Sequence, residues 1–386
     1  MIRSLAATAL LCTAAPLASA EPTPVTPGYQ PADEDERGLW MQVEEAERKL
    51  KASNFLIRDP ALNDYVRSVF CRTVGEACRD VRIYITRTPY FNASMAPNGM
   101  MQIWSGLFLR VRDEAQLAAV LGHEYAHYRE RHSIRLFRDV KDKTNAMAWL
   151  SMIPVGGLAV AGAMTVAQFG IMGSIFGFSR EMERDADTGS VAYLAAAGYD
   201  PAAASRIWAQ LLAEEKATEA ERKRKRSGQG GLFATHPGIE DRMADLAKLA
   251  AGATVNGPVS VNRDEYRAAL APYWADFIDD QIKLNDFGAT ELLLASLAED
   301  GWTADLLYAR GELYRSRGAG DDFVKAAGFY REATLASGTP PEAWRGLGLS
   351  LMRSGDRAGG QDALRTYLDK RPDAKDRAMM AMLAGV

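Results

Sequence analysis

Hydrophobic residues recur at helical spacing through most of the chain and alternate in only two short stretches. Glu34 to Ile57 reads as a charge-rich amphipathic helix. Pro60 to Thr73 reads as a second, with Leu62, Val66 and Phe70 on one face. Val81-Arg82-Ile83-Tyr84-Ile85-Thr86 alternates and predicts a strand, and turn-rich Asn92 to Asn98 separates it from a second strand, Met100 to Trp104. A helix capped by Asp113 runs through His132, with Leu117, Val120 and Leu121 on its apolar face. Thr144 to Ser179 holds no charged residue but six glycines and Pro154. Polar helical patterns resume at Arg180, and Tyr199-Asp200-Pro201 opens another helix. Lys223 to Gly231 mixes basic residues with glycine and serine and reads as a mobile loop. A helix follows from Ile239 to Ala250, and Gly252 to Val261 reads as an interdomain linker.

Beyond that linker the pattern is one of helical pairs. Leu307, Gly311 and Tyr314 sit in a frame that recurs as Trp344, Leu347-Gly348 and Leu351, continuing to Leu364 and Pro372. This resembles tetratricopeptide repeats, whose period is about 34 residues. Gly311 and Gly348 are 37 positions apart, which implies a short insertion around Gly318 to Asp322. A more degenerate pair, about Asp264 to Gly301, would supply the third unit that stacked repeats need. The expected fold class is α+β: a mostly helical domain with a small sheet, then an α-solenoid.

Composition sets the compartment and removes one class of function. A 386-residue chain with 47% hydrophobic and 25% charged residues can bury a sizeable core. Its net charge of −4 argues against a nucleic-acid-binding protein. Arg3, an apolar run from Leu5 to Leu17 and the small-x-small site Ala18-Ser19-Ala20 make residues 1–20 a signal peptide, with the mature chain starting at Glu21. The apolar run is too short for a comfortable membrane span. Residues 21–33, rich in proline, read as a flexible N-terminus. Residues 34–251 form the expected catalytic domain, and 262–386 the repeat domain. In an exported protein Cys71 and Cys78, close in sequence, are expected to pair as a disulfide.

The chemistry concentrates at His123-Glu124-Tyr125-Ala126-His127, which fits H-E-x-x-H. A spacing of four puts both imidazoles on one helix face, within reach of one Zn²⁺. Glu124 can reach a water at the metal and serve as general base. A catalytic zinc usually takes a third protein ligand. His132, nine residues past His123, points to the opposite face of the helix and reads as structural or exposed. The carboxylates of Glu181, Glu183, Asp185 and Asp187 are better candidates, on what reads as a helix.

Here the chain resembles the gluzincin peptidases that include the CAAX prenyl, HtpX-type, Oma-type and periplasmic BepA-type proteases. Their H-E-x-x-H is followed by E-x-x-A-D, matched by Glu183-Arg184-Asp185-Ala186-Asp187. The resemblance implies Glu183 as third zinc ligand and Asp187 as the residue orienting a ligand histidine, while Glu181 and Asp185 read as solvated. Asn92-Ala93-Ser94-Met95-Ala96-Pro97-Asn98-Gly99, Ser105-Gly106-Leu107 and Thr235-His236-Pro237, followed by Asp241-Arg242, resemble further family segments. Ser94 and Asn98 depart from the usual residues there. His236 is thereby implied at the site, either on the open zinc position in a latent state or on the tetrahedral intermediate; a plain helix-entry histidine is the alternative.

A signal peptide in front and repeats behind resemble the BepA type, which implies outer-membrane protein quality control. The expected function is an endopeptidase for misfolded or stalled envelope proteins in the periplasm. Its repeats would recruit protein substrates or an outer-membrane assembly complex. The alternative is a chaperone or adaptor with a latent protease site.

Three features stay open at this level. Met100 to Trp104 is either an edge strand that binds extended peptide beside the cleft or an interior strand. Thr144 to Ser179 cannot be a single membrane span, because His127 and Glu183 flank it and must meet at one metal. It reads as two packed helices that touch a membrane surface or a hydrophobic partner, or as a two-span hairpin. The basic run Arg222-Lys223-Arg224-Lys225-Arg226 reads as a solvated loop, with lipid-headgroup contact the minority view.

Overall fold

The structure, a computed structural model, describes residues 24–143, 178–222 and 239–386. The expected signal peptide, nearly all of the uncharged stretch, the basic run beyond Arg222 and His236 lie outside the described residues. No helix among the described residues is long and apolar enough to cross a membrane.

Capping residues start several helices. Asp33 caps α1 (Glu34–Lys51), and Asp59 caps α2 (Pro60–Val74), where Pro60 fills a position with no hydrogen bond to lose. Helix α1 ends at Lys51, short of the expected Ile57. The reason is the open edge of β1 (Arg82–Thr86): Ile57 donates its N–H to Ile85 O at 2.8 Å, and Phe55 O accepts from Arg87 N–H at 2.8 Å. Residues 55–57 therefore extend along the sheet instead of continuing the helix. The Cys71–Cys78 disulfide ties the end of α2 to the 3₁₀ turn Gly75–Asp80.

The sheet has the order β1-β3-β2, with β3 (Met100–Trp104) parallel to β1 and antiparallel to β2 (Ala93–Met95). All five β3 residues are buried, so β3 is the interior strand and cannot offer a free edge. Strand β2, inside the stretch read as turns, is the outer strand and packs beside the helix that carries His123. After β3 come the one-turn α3 (Ser105–Phe108) and α4 (Glu114–Arg129). Asp113 caps α4 by accepting from Gln116 N–H at 2.8 Å. Helix α4 is buried on nearly every side, as a central helix must be. It stops because Arg131 adopts a left-handed φ of 56°, and α5 (His132–Lys143) leaves in a new direction.

Helix α6 (Arg180–Ala196) lies along α4, and Gly189 permits the approach: a Cβ there would sit 2.8 Å from Ala126 Cβ. Helices α7 (Ala203–Arg222) and α8 (Ile239–Gly252) close the other side. The proline-rich segment read as flexible is, from residue 24 onward, held in place. Val25 is buried and donates its N–H to Arg129 O at 2.7 Å, and Gly28 N–H donates to Asp80 at 2.9 Å.

One hydrophobic core runs from Val25 to Leu313 without a break at the expected linker. Ser260 accepts from Asp200 N–H and donates its own N–H to Gly198 O, both at 3.0 Å, and Val261 O accepts from Ala115 N–H. The next helices, α9 (Arg263–Leu270), α10 (Trp274–Ile282) and α11 (Phe287–Leu297), pack into this core. Buried Arg110 fastens them: it donates to Glu214 on α7 at 2.8 Å and to Gln281 on α10 at 3.1 Å.

The remaining helices, α12 (Ala304–Arg317), α13 (Asp322–Leu335), α14 (Glu342–Arg353), α15 (Arg357–Lys370) and α16 (Arg377–Ala384), pack each on the next. Fully buried Tyr330 explains two of their glycines: a Cβ at Gly311 or Gly346 would lie 2.6 or 2.4 Å from its ring. The Tyr330 hydroxyl is also fixed by Glu312, so the ring cannot retreat. Gly311→Ala is expected to cost about 1–3 kcal/mol by overpacking, read as a lowered melting temperature. Unchanged melting would show that the ring has slack.

Candidate active site

His123 and His127 project from α4 one turn apart, with Nε2 atoms 3.1 Å from each other. Glu183, on the first turn of α6, brings Oε2 to 3.6 Å from His123 Nε2 and Oε1 to 3.6 Å from His127 Nε2. Such spacing suits one metal ion: ligand atoms about 2.0–2.1 Å from a tetrahedral Zn²⁺ stand about 3.3 Å apart. The outer nitrogens agree. His123 Nδ1 faces Asp187 Oδ1 at 3.1 Å, and a carboxylate there accepts a hydrogen bond from Nδ1–H, which leaves the Nε2 lone pair aimed at Glu183. Acceptor atoms thus converge at a buried point, as a cation requires. Glu124 is 3% exposed and opens on a narrow cleft of about 20 Å³ lined by Phe91, Val120, Ile207, Trp208 and Leu246.

Electrostatics hold Asp187 ionised. Burial pushes the Asp187 pKa up, but hydrogen bonds from His123 and Arg242 and their charges outweigh it and hold it at about 2. Burial pulls the His123 pKa down, and Asp187 more than reverses this. Glu181 and Asp185 are exposed, as read.

Two residues at the site had no role in the sequence reading. Arg242, on α8, donates to both oxygens of Asp187 at 2.9 and 2.6 Å and pairs with Glu183 Oε2 at 2.7 Å. Its guanidinium lies 4.2 Å from the Trp208 ring centroid. The only signal was its place in Asp241-Arg242. His132 is buried, as the structural alternative has it, but it does not point to the opposite face. The expected rotation assumed one continuous helix; the Arg131 break folds His132 back, fully buried, with Nδ1 2.9 Å from His127 Nδ1. Burial, with Arg135 adding to it, pulls its pKa down to about 4. His236 lies outside the described residues.

The family model for peptidase family M48 matches residues 58–250, a range that contains all of these residues, His236 included. The chain belongs to peptidase family M48. An M48 chain is expected to hold a divalent metal, usually zinc, and His123, His127 and Glu183 form the cluster that could bind it. The chain is 31% identical over 215 residues to a provisionally named beta-barrel assembly-enhancing protease of Vibrio cholerae. It is 28% identical over 215 residues to the beta-barrel assembly-enhancing protease of Escherichia coli. Each alignment covers 53% of this chain and 42% of the relative, so the chain spans less than half the length of those relatives. The mitochondrial metalloendopeptidase OMA1 of Schizosaccharomyces pombe is 28% identical over 181 residues, covering 46% of this chain and 49% of that protein.

Proposed function

We propose that this M48 chain is an exported zinc metalloendopeptidase that cleaves misfolded or stalled envelope proteins in outer-membrane protein quality control. The observation that carries the reading is the meeting of His123, His127 and Glu183 at one buried point beside Glu124. Zinc held by those three would polarise the scissile carbonyl and acidify a water as a Lewis acid.

The chain's own groups do the rest. Glu124 takes the attacking water's proton and delivers it to the leaving amine nitrogen. Asp187 holds His123 in the tautomer that presents Nε2. The apolar walls of the narrow cleft keep bulk water away from Glu124. The outer strand β2, beside α4, is the edge on which an extended peptide would pair. His236 is assigned a role at the open position of the site.

Helices α12–α16 are taken as tetratricopeptide-like units that recruit substrate or an outer-membrane assembly partner. The names of the relatives from Vibrio cholerae and Escherichia coli, beta-barrel assembly-enhancing proteases, support a partner in beta-barrel assembly. The purified chain is expected to contain one zinc and to cleave casein in a chelator-sensitive, zinc-restored manner. A metal-free chain, or cleavage indifferent to chelator, would overturn the proposal.

A further inference from the structure

We propose that His132 is a positioning residue for the metal centre: it accepts the Nδ1 proton of His127 and so fixes the ring in the orientation that presents Nε2. The inference rests on the site reading above. Helix α4 closes with Glu130 N–H donating to Ala126 O at 2.9 Å and Arg131 N–H donating to Tyr128 O at 3.0 Å. The left-handed Arg131 then turns the chain so that the His132 ring meets the His127 ring at 73°, centroids 5.0 Å apart. Phe178 stacks on the other face of the pair, 4.0 Å from the His127 centroid.

Proton counting sets the direction of the bond. Two Nδ1 atoms at 2.9 Å share one proton. His127 must keep a lone pair on Nε2, which faces His123 Nε2 and Glu183, so its proton is on Nδ1. His132 Nδ1 is then the acceptor, and its own proton is on Nε2. That atom is buried without a hydrogen-bond partner among the described residues, and Asp185 Oδ2 at 3.8 Å favours a proton there.

The two ligand histidines are therefore oriented by different chemistry, a carboxylate for His123 and a neutral ring for His127. A neutral acceptor suits a site that already holds Glu124, Glu183 and Asp187 against one guanidinium, since a fourth buried carboxylate would add uncompensated charge.

The test is zinc affinity, measured by competition with a chromogenic chelator, alongside thermal melting of the metal-free proteins. His132→Phe fills the space but cannot accept a proton, and is expected to weaken zinc binding by about 10–100-fold. His132→Asn, whose amide oxygen accepts, is expected to recover most of that loss. A merely structural role would lower metal-free melting in His132→Phe without moving the zinc affinity, and that result overturns the proposal. Should His132→Phe fail to fold, histidine-selective ¹⁵N spectra of the zinc-loaded parent, with only four histidines, give the tautomers directly. A proton on His132 Nδ1 overturns the proposal, and one on Nε2 supports it. A parent chain that binds no zinc sinks the site reading itself along with this inference.

Discussion

Replacing Glu124 by glutamine is expected to reduce proteolysis by about 10²–10⁴-fold while zinc content stays at the parental level. The expectation rests on what the substitution removes. Glu124 follows His123 on α4 and is 3% exposed at the wall of the cleft, so it serves as a carboxylate in a largely dry setting. The amide keeps its size and its hydrogen-bonding reach but cannot accept a proton from water or hand one to the departing amine. The three proposed ligands are untouched, so metal analysis separates this variant from a ligand substitution such as His127→Ala, which would lose zinc and activity together. Casein cleavage at the parental rate by Glu124→Gln would remove this residue from the mechanism.

The sequence exposed those parts of the site that lie on one continuous helix and hid those that depend on a break or on distance. His123, Glu124 and His127 share α4, whose cap at Asp113 and apolar spacing are visible in the chain. Glu183 and Asp187 lie one turn apart on α6 behind a serine cap, and their pattern could be recognised by resemblance. His132 was misplaced because nothing in the residue types marks the stop: Arg131 is not a glycine or asparagine, and a left-handed conformation is uncommon for it. Arg242 reaches Asp187 across 55 positions, a contact made by tertiary packing and not by local pattern. Strand β2 is three residues long, too short to establish an alternation.

The same limit explains the linker. Glycine, proline and small polar residues at 252–261 carry the composition of a connection, yet Ser260 and Val261 spend their backbone groups on Gly198, Asp200 and Ala115. Composition reports what a backbone can do; the partners that occupy it are set by the fold. Gly311 and Gly348 were visible as a recurring frame, and their reason emerged only with the neighbours, Tyr330 for the first and Leu364 with Gly360 for the second.

Arg242→Met is expected to destabilise the metal-free protein by about 3–5 kcal/mol, because it removes the cation from a buried charge cluster. Asp187 and Glu183 are 4% and 1% exposed, and Arg242 contacts both. Without the guanidinium, two buried carboxylates face each other with His123 as the main compensation. Bound zinc supplies positive charge to Glu183 and changes this balance. The loss should therefore be smaller in the zinc-loaded protein, and the gap between melting temperatures with and without zinc should widen relative to the parent. Arg242→Lys keeps the charge but not the fork that spans two carboxylates, so it should fall between the two. Equal drops with and without zinc would assign Arg242 to fastening α8 against α6 and Trp208. A metal-free variant that melts like the parent would deny it any part in neutralising the site.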